Sequence, residues 1–155
     1  MPAARVASTG AEVVSASASA ALQTLTLGDR RAIQLAANKL AGEAFENQAG
    51  DQLEAFGVDA GNEVTLQTQS GAKTRLDYLF RDPTTNAIRC VECKSSETAP
   101  LTPKQEVAFP EIESSGATIV GAGKPAFPRG TIIPPTKVEV IRPSNLNDLN
   151  FWTPP

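Results

Sequence analysis

The chain contains no histidine. That absence removes Ser-His-Asp and Cys-His catalysis, histidine-rich zinc sites and any nuclease that uses an imidazole as its base. Acid–base work must fall to Asp, Glu, Lys or a metal-bound water. Cysteine is almost as scarce. Cys90 and Cys93 are the only two, so no disulfide framework can be built. No apolar run approaches the ~18 residues of a membrane span. No basic region followed by an apolar block opens the chain, so a cleaved secretory signal is not expected either.

What is present is an ordinary balance for one domain with a real core: 155 residues, 41% hydrophobic and 20% charged. The net charge of -3 looks unfavourable for a nucleic-acid partner, but the charge is unevenly spread. Residues 73–142 hold ten Lys/Arg against eight Asp/Glu, whereas residues 1–72 hold four against eight. Carboxylates that hold a cation also do not repel a phosphate as free ones do.

Residues 1–27 are rich in Ala, Ser, Thr and Val and read as a low-complexity linker or arm, with a short docked Ala-rich helix as the alternative. The domain proper is expected over 28–142 and a coil-like tail over 143–155. Asp29 reads as a helix N-cap. Ile33, Ala36, Ala37, Leu40, Ala41 and Ala44 follow at helical spacing, and Phe45, Ala49, Leu53 and Phe56 extend the stripe to Gly57. Gly42 and Gly50 leave open one long helix or two short ones. Strands are predicted at 64–68, 74–80 and 88–95, joined by turns at Ser70-Gly71 and 82–86 and pairing in order. Thr102 caps a second helix with Pro103 at its first position, and Pro110 should bend or split it. A buried strand at 117–120, an irregular Gly/Pro-rich stretch at 121–135 and a strand at 137–141 close the domain. The fold class is α/β, a central mixed sheet of about four to five strands flanked by helices.

The chemistry concentrates on two of these strands. Residues two apart on a strand share a face, so Glu92 and Lys94 point one way while Val91 and Cys93 point into a core. Asp77 joins Glu92 and Lys94 if its strand pairs with theirs. Two carboxylates can hold a divalent cation through hard oxygen ligands, and a neighbouring Lys can orient a water or offset charge on a phosphate. The competing reading of Asp77 is a strand-end charge paired with Arg75 or Arg89. That of Glu92 and Lys94 is a solvated pair on one sheet face. Cys90-x-x-Cys93 does not read as a zinc or redox motif, because residues three apart on a strand face opposite ways and no second ligand pair exists. Gly121-Ala122-Gly123-Lys124 lacks the remainder of a phosphate loop. Lys73, Arg75, Arg81, Lys104, Lys124 and Arg129 could line a phosphate-contacting surface.

Asp77 followed fifteen residues later by Glu92-Cys93-Lys94 resembles the PD-(D/E)xK, or restriction-endonuclease-like, nuclease superfamily. The order of elements matches too: a Glu-bearing helix, an Asp-bearing strand, a Glu-x-Lys strand and a helix. The likeness covers about residues 35–121 and is greatest to the DNase domains of bacterial polymorphic toxins. It includes Gly42-Glu43-Ala44-Phe45-Glu46, Leu101-Thr102-Pro103-Lys104-Gln105 and the run 113–121. Leu76 stands where the signature has Pro, a position that varies widely. The resemblance implies that Asp77 and Glu92 ligate Mg²⁺ or Mn²⁺, with the Val91 or Cys93 carbonyl as a further ligand and Glu46, rather than Glu43, in support. It implies that Lys94 positions the attacking water and that Gln105 orients Lys94 or touches the substrate. The implied function is hydrolysis of DNA phosphodiesters by a toxin. Such a toxin would be secreted by a dedicated system, would act in the target-cell cytoplasm and would be neutralised by an immunity protein. A repair or restriction nuclease, an RNase, or a non-catalytic binding module on the same fold are the alternatives.

Overall fold

The computed structural model describes residues 26–55 and 60–147. The arm expected at 1–27 lies outside these except for its last two residues, as do Phe56, Gly57 and the tail from 148 onward. The chain divides into two compact units, residues 1–40 and 41–155. Among the described residues no helix is long and apolar enough to cross a membrane.

Helix α1 is continuous over Leu27–Ala55, which settles the choice between one helix and two. Its cap differs from the one expected. Thr26 is the N-cap: its hydroxyl accepts the Asp29 N–H at 3.2 Å, and the Asp29 carboxylate takes the Thr26 N–H at 3.0 Å. Asp29 therefore closes a capping box from the third helical position instead of opening the helix.

In the second unit the core is a sheet. Strands β1 (Ala60–Gln67), β2 (Lys73–Arg81) and β3 (Ile88–Cys93) form an antiparallel meander in chain order, as their spacing implied. Gly71, at φ 89°, makes the first turn possible. The second turn is held by the Asp82 carboxylate, which accepts the N–H groups of Thr84 and Thr85, both at 2.9 Å. Beyond β3 come helix α2 (Pro103–Ser115), β4 (Ala117–Ile119), β5 (Gly123–Lys124), β6 (Phe127–Pro128), β7 (Ile132–Ile133) and β8 (Val138–Ile141). The main sheet is mixed and six-stranded, in the order β7-β4-β1-β2-β3-β8, with β8 parallel to β3.

The expected strand count and the wholly irregular stretch give way here. The sheet has six strands rather than four or five, because β7 adds to the edge of β4. The stretch 121–135 is not wholly irregular, since β5 and β6 pair as a separate ribbon. Two-residue strands are too short to show any period in sequence. Pro110 does not split α2. It is exposed, as is Glu106, whose carbonyl loses its partner, so that carbonyl can turn to water. The described part of the tail, residues 143–147, runs as turns held on the domain. Leu146 is buried, Arg142 donates to the carbonyls of Ser96 and Ala99, and Ser144 donates to Glu97.

Two cores lie on opposite faces of the sheet. Ala108, Phe109 and Ile112 of α2 pack with Leu66, Leu76, Leu79 and Cys90. Phe45, Ala49 and Leu53 of α1 pack with Phe80, Val91, Cys93 and Ile141. Cys90 and Cys93 thus face opposite sides. Burial pushes the Cys90 thiol up to about 12 and also raises that of Cys93.

Helix α2 ends at Gly116, with φ 75° and ψ -166°, a conformation open almost only to glycine. A Cβ there would stand 2.2 Å from the Ile133 carbonyl oxygen of β7. Gly116→Ala should lower unfolding stability by about 1–3 kcal/mol from backbone strain alone. Denaturant unfolding checks it, and an unchanged midpoint would contradict the close approach.

Candidate active site

The site begins where the sheet ladder is interrupted. Pairing between β1 and β2 runs from Ala60↔Phe80 to Gln67↔Lys73 and omits one opposed pair, Glu63 and Asp77. On the other side, pairing between β2 and β3 stops at Tyr78↔Val91, one step short of setting Asp77 opposite Glu92. Side-chain alternation flips at the same place. Leu76 and Leu79 share the α2 core although three residues apart, while Tyr78 and Phe80 turn to the α1 core. Glu63 absorbs the flip in β1 with a left-handed φ of 51°. Such a break in a twisted sheet re-aims a side chain.

Asp77 fills the gap. Its Oδ2 accepts the Cys93 N–H at 2.6 Å, a β3 donor left over where the ladder stops. Asp77 is not the strand-end charge of the competing reading. Arg75 pairs instead with Glu63 at 3.1 Å, and Arg89 pairs with Glu139 and with Asp82.

Glu92 and Lys94 share a face, as their spacing requires, and are directly paired at 3.0 Å. Both are buried too deeply for a solvated surface pair: their side chains are 5% and 13% exposed. Gln105 joins them from α2. Its amide donates to Glu92 Oε1 at 2.6 Å, and its carbonyl oxygen accepts from Lys94 Nζ at 3.0 Å. The same oxygen accepts the Thr102 N–H at 3.0 Å, and the Gln105 N–H returns to the Thr102 hydroxyl at 3.3 Å. The helix cap and the site therefore share one side chain. The Thr-x-x-Gln signature of a capping box was the sequence signal for this arrangement.

Burial raises the Asp77 carboxyl above its ordinary value, against the Cys93 N–H and the nearby Lys94 charge. Burial raises Glu92 as well, and Asp77 adds to it, while Lys94 and Gln105 oppose the shift. The Asp77 charge thus reaches Glu92 across the ladder gap. Glu46 is half-buried on α1, whereas Glu43 is exposed. Burial raises Glu46 first, and Asp77 is the largest charge acting on it. Tyr78, which the sequence reading passed over, fixes this turn of α1 by donating its hydroxyl to the Glu46 carbonyl at 2.8 Å. Its phenol is pushed up to about 12, mainly by burial.

Among the described residues, no three Asp, Glu, His or Cys side chains gather closely enough to chelate an ion by themselves. Of the two strand carboxylates, Asp77 is the one whose charge acts on Glu46. The residues nevertheless fit a hard cation that keeps much of its water. Glu92 Oε2 is buried without a hydrogen-bond partner, and Asp77 lies across the gap. Mg²⁺ is commonly held by one or two carboxylates while it retains several waters. The structure ties the Cys93 N–H to Asp77; the carbonyl role suggested for Cys93 or Val91 rests on the resemblance alone.

Of the scattered cations, the fold gathers Lys73, Arg75 and Lys104 beside Gln105 around one cleft of about 360 Å³. Arg81 goes elsewhere, stacking on Phe127 at 5.5 Å, and the Lys124 stem packs against Gly61. No protein-family model, curated protein or solved structure matches this chain.

A raised carboxyl means that the folded state binds a proton more tightly than the unfolded one. Its contribution to stability therefore falls as pH rises from the unfolded value through the folded one. With chelator present, Asp77→Asn should unfold at a higher temperature than wild type at pH 7–8, by about 2–4 °C per kcal/mol relieved. The gap should shrink toward pH 4. Thermal scans across that range test the sign, and a variant less stable at every pH would show Asp77 to be stabilising when ionised.

Proposed function

We propose that this chain is a metal-dependent endonuclease that hydrolyses DNA phosphodiester bonds on a restriction-endonuclease-like core. We further propose that it is the toxin domain of an interbacterial competition system, held in check by an immunity protein. The observation that carries the nuclease reading is the buried Glu92–Lys94–Gln105 cluster, with Asp77 across the ladder gap and Glu92 Oε2 left without a partner. An orphaned buried carboxylate oxygen is costly unless something positive or protic meets it.

Each residue then has a definite task. Gln105 and Lys94 occupy Glu92 Oε1, which leaves Oε2 to face a cation. The Cys93 N–H anchors Asp77 Oδ2 and sets the second carboxylate. Mg²⁺ or Mn²⁺, when bound there, offsets charge on a phosphoryl oxygen and acidifies a water. The Lys94 ammonium has three donors, and Glu92 and Gln105 take two. The third can hold a water in line with the phosphorus or steady an equatorial oxygen. The toxin assignment rests on the resemblance of the elements from Glu46 through the run 113–121.

Incubation with supercoiled plasmid in Mg²⁺ or Mn²⁺ should give nicked and linear DNA, and chelator should stop it. Asp77→Ala and Lys94→Ala should each lose at least about 100-fold in rate. Gln105→Ala should lose about 10- to 100-fold by loosening its neighbours. Mg²⁺ should raise the melting temperature of wild type but not of Asp77→Asn. Full cleavage by either alanine variant would refute the mechanism. Intracellular expression that is equally harmless for wild type and Glu92→Ala would refute the toxin role.

A further inference from the structure

The cleft beside Gln105 has a lining that the catalytic cluster does not explain. Besides Lys73, Arg75 and Lys104 it presents Thr65, Thr74 and Thr102. Thr74 is 95% buried, at 5% relative exposure, yet lines the cleft, and no hydrogen bond to its hydroxyl is made among the described residues. A second hollow shares Lys73 and Lys104 with the first. The α2 N-terminus itself contributes little. Pro103 has no N–H, and the N–H groups of Thr102, Gln105 and Glu106 are spent within the cap. Cations and hydroxyls supply the recognition.

Those groups suit phosphate oxygens and sugars, which position a nucleic acid without reading it. Sequence-independent capture of a single strand instead relies on exposed aromatic rings that stack bases. Among the described residues every Phe is buried, and Tyr78 is committed to the Glu46 carbonyl. Arg75 is held only by an exposed pair with Glu63, which costs little to exchange for a phosphate.

We propose that this cleft is a track for the phosphodiester backbone of duplex DNA, blind to base sequence, with Lys73, Arg75 and Lys104 each meeting a phosphate. The inference deepens the nuclease reading and rests on it for the location of the cut. Its own content is how substrate is held.

The test is binding of the full chain to two fluorescent 20-base-pair duplexes of unrelated sequence, in chelator so that nothing is cut, over a range of salt. Affinities for the two duplexes should agree, and log K should fall against log salt with a slope of about -2.7 for three phosphates. Lys73→Ala and Lys104→Ala should each flatten the slope by about 0.9 and weaken both duplexes equally. Arg31→Ala, at an exposed position of α1 outside the cleft lining, should leave the slope unchanged. Tighter binding of single-stranded DNA or of RNA, a sequence-dependent affinity, or a slope untouched by both lysine variants would each overturn the track. The nuclease reading fails separately. If Asp77→Ala cleaves normally while Lys104→Ala loses the salt slope, the chemistry is wrong and the track stands. If cleavage needs Asp77 but neither binding nor cleavage needs Lys73 or Lys104, the track is wrong and the chemistry stands.

Discussion

The side-chain amide of Gln105 is held from three directions: by the Thr102 N–H, by Lys94 Nζ and by its own bond to Glu92 Oε1. A glutamine amide has two faces, one accepting and one donating, and a helix cap needs only the first. Here the accepting oxygen serves the helix and the ammonium together, while the NH₂ group fixes the carboxylate. The start of α2 therefore cannot shift without moving both ionisable groups. The helix is in turn held by Ala108, Phe109 and Ile112 in the core and by Glu111, which accepts from Ser70 of the β1–β2 turn. Site geometry is thus carried by a packed helix rather than a loop, the more exact of the two supports.

The second constraint is a fault placed in the sheet. A β-ladder normally absorbs every N–H, and a carboxylate within it has nothing to accept. The β2–β3 ladder ends at Tyr78↔Val91, so no β2 carbonyl takes the Cys93 N–H, and the Asp77 carboxylate accepts it instead. The left-handed Glu63 and the buried acid are each unfavourable locally. Local rules are commonly broken where function asks for it. Here the break falls on the strand position that the spacing to Glu92-Cys93-Lys94 had already singled out.

The meander, the two helices, the opposite facing of Cys90 and Cys93 and the Glu92–Lys94 pairing were legible because each follows from a period of two or 3.6 residues or from a cap. Strands β5, β6 and β7 were not, because two residues carry no period. The α1 cap was misread because both Thr26 and Asp29 are good caps, and only the reciprocal bonds say which holds which position. The flip at Asp77 was invisible for a different reason. It depends on a φ at Glu63, a residue type that gives no hint of left-handed backbone. Glu46 was singled out by the spacing of a helix motif, and Asp77 is the largest charge acting on it.

On the proposed nuclease reading, the placement of charge explains how an acidic chain would serve an anionic substrate. The carboxylates that matter are buried within the sheet, where Lys94 and Gln105 already engage one of them. The cations around the cleft are borne by side chains at the turn end of the β1–β2 hairpin and the first turn of α2. On the proposed reading, a duplex would meet Lys73, Arg75 and Lys104 at the cleft while Asp77 and Glu92 lie buried behind it. Attraction by exposed charge reaches only about 8–10 Å at physiological salt, so order along the path outweighs the total of -3. On the same proposed reading, a divalent ion would turn these two carboxylates from a repulsive pair into ligands, and their burial, a cost to the protein alone, would favour the loaded state.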